Sequence, residues 1–266
     1  MNKLEELHPD LQPWVVEMDI MGTMVKHPIL FIHYNPAANG TRNPDGTDVP
    51  FTASYINAAY LNKKEYLDTC LRNSNYSGYV YAHETPHAVE ALHRVWEKGL
   101  AWQWRRSNQE DAHTIKKEFF SLMASVWKQT EFPHQRADLW LKLFKIPGTD
   151  LLMSETDFLW LDATRAAQEQ LTIYRGSSHI DLRLGLSWTL SLEKARWFAD
   201  RFDDESQMAE VVEGVCDPND VLAFFSERGE SEILIHPNNV TVTCKTGGSI
   251  FQTGIGWVPG WDKGTD

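Results

Sequence analysis

The sequence predicts an α+β protein, and the prediction rests on a change of hydrophobic period near Leu171. Before it, apolar residues recur at helical spacing; Ile115, Phe119, Leu122 and Val126, for example, fall at i, i+4, i+7 and i+11. After it come short β-branched or aromatic runs, LTIY, GLSWTL, AEVVEGV, DVLAFF, SEILI and VTVTC, separated by Gly, Asp and Pro. One helix interrupts them at residues 191–201, with Ala195, Phe198 and Ala199 on its inner face. Helices followed by strands give the α+β class. The expected organisation is a mostly helical region, 1–168, packed on a β-rich core, 169–266, as one compact unit.

In chain order, Pro13 suits the first turn of a helix over residues 13–24. A short apolar run, 29–32, leads into NPAANGTRNPDGTDVP (35–50), the most turn-rich stretch and long enough to be a surface loop. Asn62 and Glu65 resemble a capping box for a helix whose stripe is Tyr66, Leu67, Cys70 and Leu71. Thr85-Pro86 opens another helix, with Gly99 as its C′ stop. Further helices are expected at 136–145 and 155–167, the second preceded by Ser154. Trp188, Trp197 and Phe198 are assigned to the core; Phe224 and Phe225 are expected to split, one inward and one exposed.

Composition narrows the function classes. The net charge of −12 gives no general attraction for nucleic acid or an anionic membrane; Trp104-Arg105-Arg106 is a small basic patch and reads as an ordinary helix end. Cys70, Cys216 and Cys244 lack CxxC spacing, which argues against a disulfide scaffold or a cysteine zinc site. MNKLEELHPD is acidic where a signal peptide needs an apolar run, and no stretch approaches the roughly 18–20 apolar residues of a membrane span. The expectation is a soluble cytoplasmic protein with no membrane partner.

HETPH at 83–87 matches the HExxH zinc-protease pattern, with His93 six residues after His87. Pro86 breaks the turn that must hold both histidines on one face. Glu90 stands where a bending glycine is needed, and six residues of helix, about 600°, carry His93 off that face. The expectation is no metal site.

Three motifs in the β-rich part occur in a telling order: Tyr174-Arg175-Gly176, then Gly185-Leu186-Ser187-Trp188-Thr189, then Arg228-Gly229-Glu230-Ser231-Glu232 opening an apolar strand. With both glutamates on that strand, side-chain alternation projects Glu230 and Glu232 from one face. This sequence resembles the arginine–serine–glutamate class of mono-ADP-ribosyltransferases over roughly residues 170–240, and the preceding helices are similar to those of small phage and bacterial toxin-like members. The middle motif departs from the pattern in having bulky Trp188 at its second position.

The resemblance implies a split β-sheet core binding NAD, as substrate, in the cleft between its sheets. It implies that Glu232 stabilises the oxocarbenium-like ribose as the nicotinamide bond breaks, and that Glu230 engages the acceptor. Arg175 would hold a phosphate or ribose of NAD through its rigid fork. Gly176 would let the backbone approach the nicotinamide amide, Ser187 would hydrogen-bond Glu232, and Thr189 would complete the cofactor-binding set. ExE points to protein arginine as acceptor, with nucleic acid the alternative; an antitoxin or inhibitor protein is a further partner this family context suggests. The rival readings are an NAD glycohydrolase on the same scaffold, a silent binding module and a zinc protease.

Overall fold

A computed structural model describes residues 3–35, 51–85, 87–167, 169–177, 185–201 and 210–246. The chain divides into two compact units, Met1–Ala101 and Trp102–Asp266. The sequence reading puts its boundary after residue 168. Instead, the helices between 102 and 167 group with the sheet, on which Trp160 and Leu161 pack.

In the first unit, β1 (Val15–Met18), β2 (Gly22–His27) and β3 (Leu30–His33) form an antiparallel meander in which Val15 pairs with Val25 and His27 with Leu30. This replaces the helix expected at 13–24. Pro13 does sit in a helical first turn, but that 3₁₀ turn ends at Trp14. The following Val15-Val16 and Thr23–Val25 favour extended backbone, and Gly22 turns the chain at φ +69°. Helix α1 (Ala53–Arg72) starts before Asn62, because the Thr52 hydroxyl accepts the Tyr55 amide at 3.3 Å. It buries Ala53, Ile56, Tyr60, Leu67 and Cys70, leaving Tyr66 and Leu71 exposed, contrary to the expected stripe.

Helices α2 (Tyr76–Tyr81) and α3 (Ala88–Val95) follow. Gly99 does not stop the chain: a π-turn over Trp96–Leu100 carries it into α4 (Ala101–Arg106). A Cβ on Gly99 would lie 3.2 Å from the Tyr76 hydroxyl, so the glycine permits close packing. The 35–50 loop lies almost wholly outside the described residues, as does Pro86.

The second unit contains α5 (Gln109–Gln129), α6 (Ala137–Phe144) and α7 (Glu155–Ala167), then β4 (Leu171–Ser177), β5 (Ser187–Thr189), α8 (Leu192–Asp200), β6 (Glu210–Cys216), β7 (Val221–Phe225), β8 (Glu232–Ile235) and β9 (Thr241–Thr246). The predicted strand runs each contribute a strand, so the α+β class holds. Among the described residues the strands form one antiparallel sheet in the order β7-β8-β5-β4-β6-β9. Its two halves are unequally joined: β4 pairs with β6 over seven positions, but with β5 only through Tyr174 and Thr189.

Alternation along the strands gives the sheet two apolar faces. Leu171, Ile173, Trp188, Val212, Ile233 and Ile235 pack with Leu161 of α7, and Trp160 stacks on Phe224 with centroids 4.0 Å apart. On the other face Tyr174 and Val211 meet Ala195 and Ala199 of α8. Both faces of β7 are covered, so Phe224 and Phe225 are both buried and do not split. Trp197 is half-exposed, not core; Lys194 and Arg201 lie over its ring.

Gly176 lies where α8 crosses β4. A Cβ there would come within 1.7 Å of the Ala195 carbonyl oxygen and 2.6 Å of the Ala199 amide nitrogen. Both obstacles are helix backbone, which cannot rotate away. Gly176→Ala is therefore expected to cost about 3 kcal/mol or more of stability, read as a lowered midpoint in denaturant unfolding; an unchanged midpoint would contradict this packing.

Candidate active site

The sequence candidates meet in a cleft of about 410 Å³ in the second unit, whose lining includes Trp127, His134, Arg175, Ser187, Thr189, Glu230 and Glu232. The cleft opens beside the weak β4–β5 joint. Arg175 comes from one half of the sheet; Ser187 and Glu232 come from the other.

Glu232 begins β8 and is partly buried. Its Oε1 accepts two hydrogen bonds, from Ser187 Oγ at 2.5 Å and from Trp127 Nε1 at 3.2 Å. The Arg175 guanidinium donates to the Ser187 carbonyl at 2.5 Å, tying the arginine to the strand that presents the serine. Gly185 makes room for it, since a Cβ at that position would lie 2.5 Å from the guanidinium carbon. Trp188 pairs with Ile233 and points to the opposite, apolar face, where its indole N–H donates to the Gly185 carbonyl at 2.9 Å. The bulky second residue of the Ser-Trp-Thr motif thus stays in the core, while Ser187 and Thr189 take the other face.

Glu230 is not on the strand. It caps the 3₁₀ turn Glu227–Gly229 with helical backbone, and Ser231 between the two glutamates takes φ +46°. Strand alternation therefore does not relate the carboxylates; a left-handed residue does. The turn is fastened at three points. Asp157 accepts the Ser226 amide at 3.2 Å, Lys128 pairs with Glu227 at 2.8 Å, and the Thr189 hydroxyl donates to the Glu230 carbonyl at 2.5 Å. Thr189, expected among the cofactor contacts, spends its hydroxyl proton on this turn. Gly176, expected to face nicotinamide, lines the same cleft, and its missing side chain also makes room for α8.

Sequence reasoning missed Trp127 and His134. Trp127 is 105 residues from Glu232 in the chain, and a tryptophan on an amphipathic helix reads as core. His134 lies on the short 3₁₀ turn Pro133–Arg136. Burial, aided by the Arg175 charge, holds its imidazole below the ordinary value, so it is neutral at physiological pH. Two ion pairs, Lys128–Glu227 and Arg201–Glu131, each 2.8 Å, involve residues that line the cleft.

Burial lowers the Arg175 pKa to about 10, against the pull of Glu232, so the guanidinium stays charged at neutral pH. It is the kind of group that holds a phosphate or other oxyanion. Burial pushes the Glu232 carboxyl above its ordinary 4.5, with Glu230 adding repulsion and the Ser187 and Trp127 hydrogen bonds and Arg175 opposing. The cleft thus pairs a fixed cation with a carboxylate whose second oxygen accepts no hydrogen bond among the described residues.

The zinc-like histidines do not converge. His83 Nδ1 donates to the Tyr79 carbonyl, His87 precedes the first turn of α3 and pairs with Glu90, and His93 pairs with Glu97. Among the described residues no three His, Cys, Asp or Glu side chains gather to hold a metal, and no helix is long and apolar enough to cross a membrane. All three cysteines are free.

A carboxyl whose pKa is raised on folding contributes stability in acid and loses it as pH rises through the folded-state value. Glu232→Gln, which keeps an oxygen for both donors, is therefore expected to raise the thermal midpoint at pH 7 and to change it little near pH 4. Calorimetry at the two pH values checks this, and a larger gain at pH 4 would reverse the assigned sign.

Comparisons of the chain with protein-family models, with curated proteins and with solved structures find no match.

Proposed function

We propose that this protein is a mono-ADP-ribosyltransferase that moves ADP-ribose from NAD to an intracellular acceptor, protein arginine being favoured over nucleic acid. The observation that carries the reading is the convergence of three sequence-separated motifs on one carboxylate. Ser187 Oγ donates to Glu232, and Arg175 donates to the Ser187 carbonyl, all in one cleft.

The chemistry needs these residue types. As the bond from ribose C1′ to the nicotinamide nitrogen breaks, its electron pair leaves with nicotinamide and positive charge develops on the ribose. A preorganised carboxylate stabilises that charge more in the transition state than in the ground state. Glu232 supplies it, held by Ser187. Arg175, charged and buried beside it, suits the pyrophosphate or a ribose oxygen. The acceptor nucleophile then bonds to C1′ and gives up its proton, for which the Glu230 carboxylate, in the same cleft, is a candidate base.

The test is to incubate the wild type and Glu232→Gln with NAD labelled in its ADP-ribose part and a cell extract, then digest with protease or nuclease. Glu232→Gln is expected to lose nicotinamide release by about a hundredfold or more, while Arg175→Ala mainly raises KM for NAD. Label lost to protease identifies a protein acceptor, and label lost to nuclease a nucleic acid. Free ADP-ribose as the sole product would make the protein a glycohydrolase. No nicotinamide from folded wild type would overturn the enzyme reading and leave a binding module.

A further inference from the structure

We propose that Trp127, outside all three motifs, is a positioning residue for Glu232: its indole N–H and Ser187 Oγ together fix Oε1 and leave Oε2 as the reacting oxygen. The proposal rests on the functional reading above and names a group that reading does not supply.

The two donors on Glu232 are unlike. A serine hydroxyl turns about its Cβ–Oγ bond and can redirect its proton. An indole N–H has one direction, set by the ring plane. Here that plane is locked by packing. Trp127 is 4% exposed and meets Trp140 edge-on at 4.9 Å and Phe144 at 5.5 Å. Rotation of the carboxylate away from this arrangement breaks both bonds to Oε1 at once, so the group is held in one orientation with Oε2 toward the cleft.

The next residue extends the same grip. Lys128 lies over the Phe225 ring at 5.0 Å and pairs with Glu227 at 2.8 Å. The last turn of α5 therefore holds both ends of the segment from Glu227 to Glu232. Both donors also favour the ionised carboxyl against the burial that raises its pKa. Losing the N–H while keeping the ring leaves the packing in place and changes the carboxyl alone.

The experiment compares wild type with Trp127→Phe and with the protein carrying a benzothiophene analogue of tryptophan at 127, which has the indole shape and no N–H. Two quantities are read. The first is the Glu232 titration midpoint, followed by carbon-13 NMR of labelled glutamate side chains, with Glu232→Gln identifying the signal. The second is nicotinamide release against pH. The expected result is a midpoint moved to higher pH in both variants, the acid limb of the rate profile moved with it, and kcat lowered about ten- to hundredfold with KM for NAD little changed. An unchanged midpoint in the folded analogue protein overturns the proposal, even if Trp127→Phe fails to fold. If wild type releases no nicotinamide, the functional reading falls, and the titration still decides whether Trp127 holds Glu232.

Discussion

An ionised carboxyl taken out of water must be given hydrogen-bond donors, or it neutralises. Glu232 imposes that requirement, and much of the second unit answers it. Strand β5 contributes only three residues, yet its first carries the hydroxyl donor. Helix α5 brings the indole donor from 105 residues away. Arg175 lends its charge from β4 and fixes the strand bearing Ser187. The weak joint between β4 and β5 fits this arrangement, since a fully paired ladder there would leave little room for a side-chain cluster at the seam.

The fold class and much of the cleft are legible in the sequence because they depend on residue type and alternation. Six strand runs could be marked from β-branched content. Ser187 and Glu232 come to share a face because each begins a strand, where alternation determines facing. Arg175 alternates to the opposite face, with Leu171 and Ile173 of β4, and joins the group at the seam through its bond to the Ser187 carbonyl. The bounds of α7 are legible for a related reason: Ser154, whose hydroxyl accepts the Asp157 amide at 3.1 Å, is a local signal.

What the sequence hid depends on tertiary context or on backbone torsion. Residues 13–24 contain a proline and spaced apolar side chains, and the pairing of β2 with both β1 and β3 adds to their β-branched content to make extended backbone the better choice. Trp127 carries no sign that its N–H, rather than its ring, matters. Gly176 carries no sign that α8 crosses over it. Ser231 is neither glycine nor asparagine, so nothing in its identity announces a positive φ.

That kink between the glutamates separates two kinds of change. With both carboxylates on one strand, any shift that re-aims one also moves the other. With a left-handed residue between them, residues 226–230 form a tethered appendage to β8 rather than part of it. Substitutions in that appendage re-aim Glu230 while the β8 pairing to β5 and β7 keeps Glu232 in register. Under the proposed chemistry, the choice of acceptor and the breaking of the glycosidic bond can then diverge independently, and descendants of one scaffold can change targets without rebuilding the machinery that opens NAD.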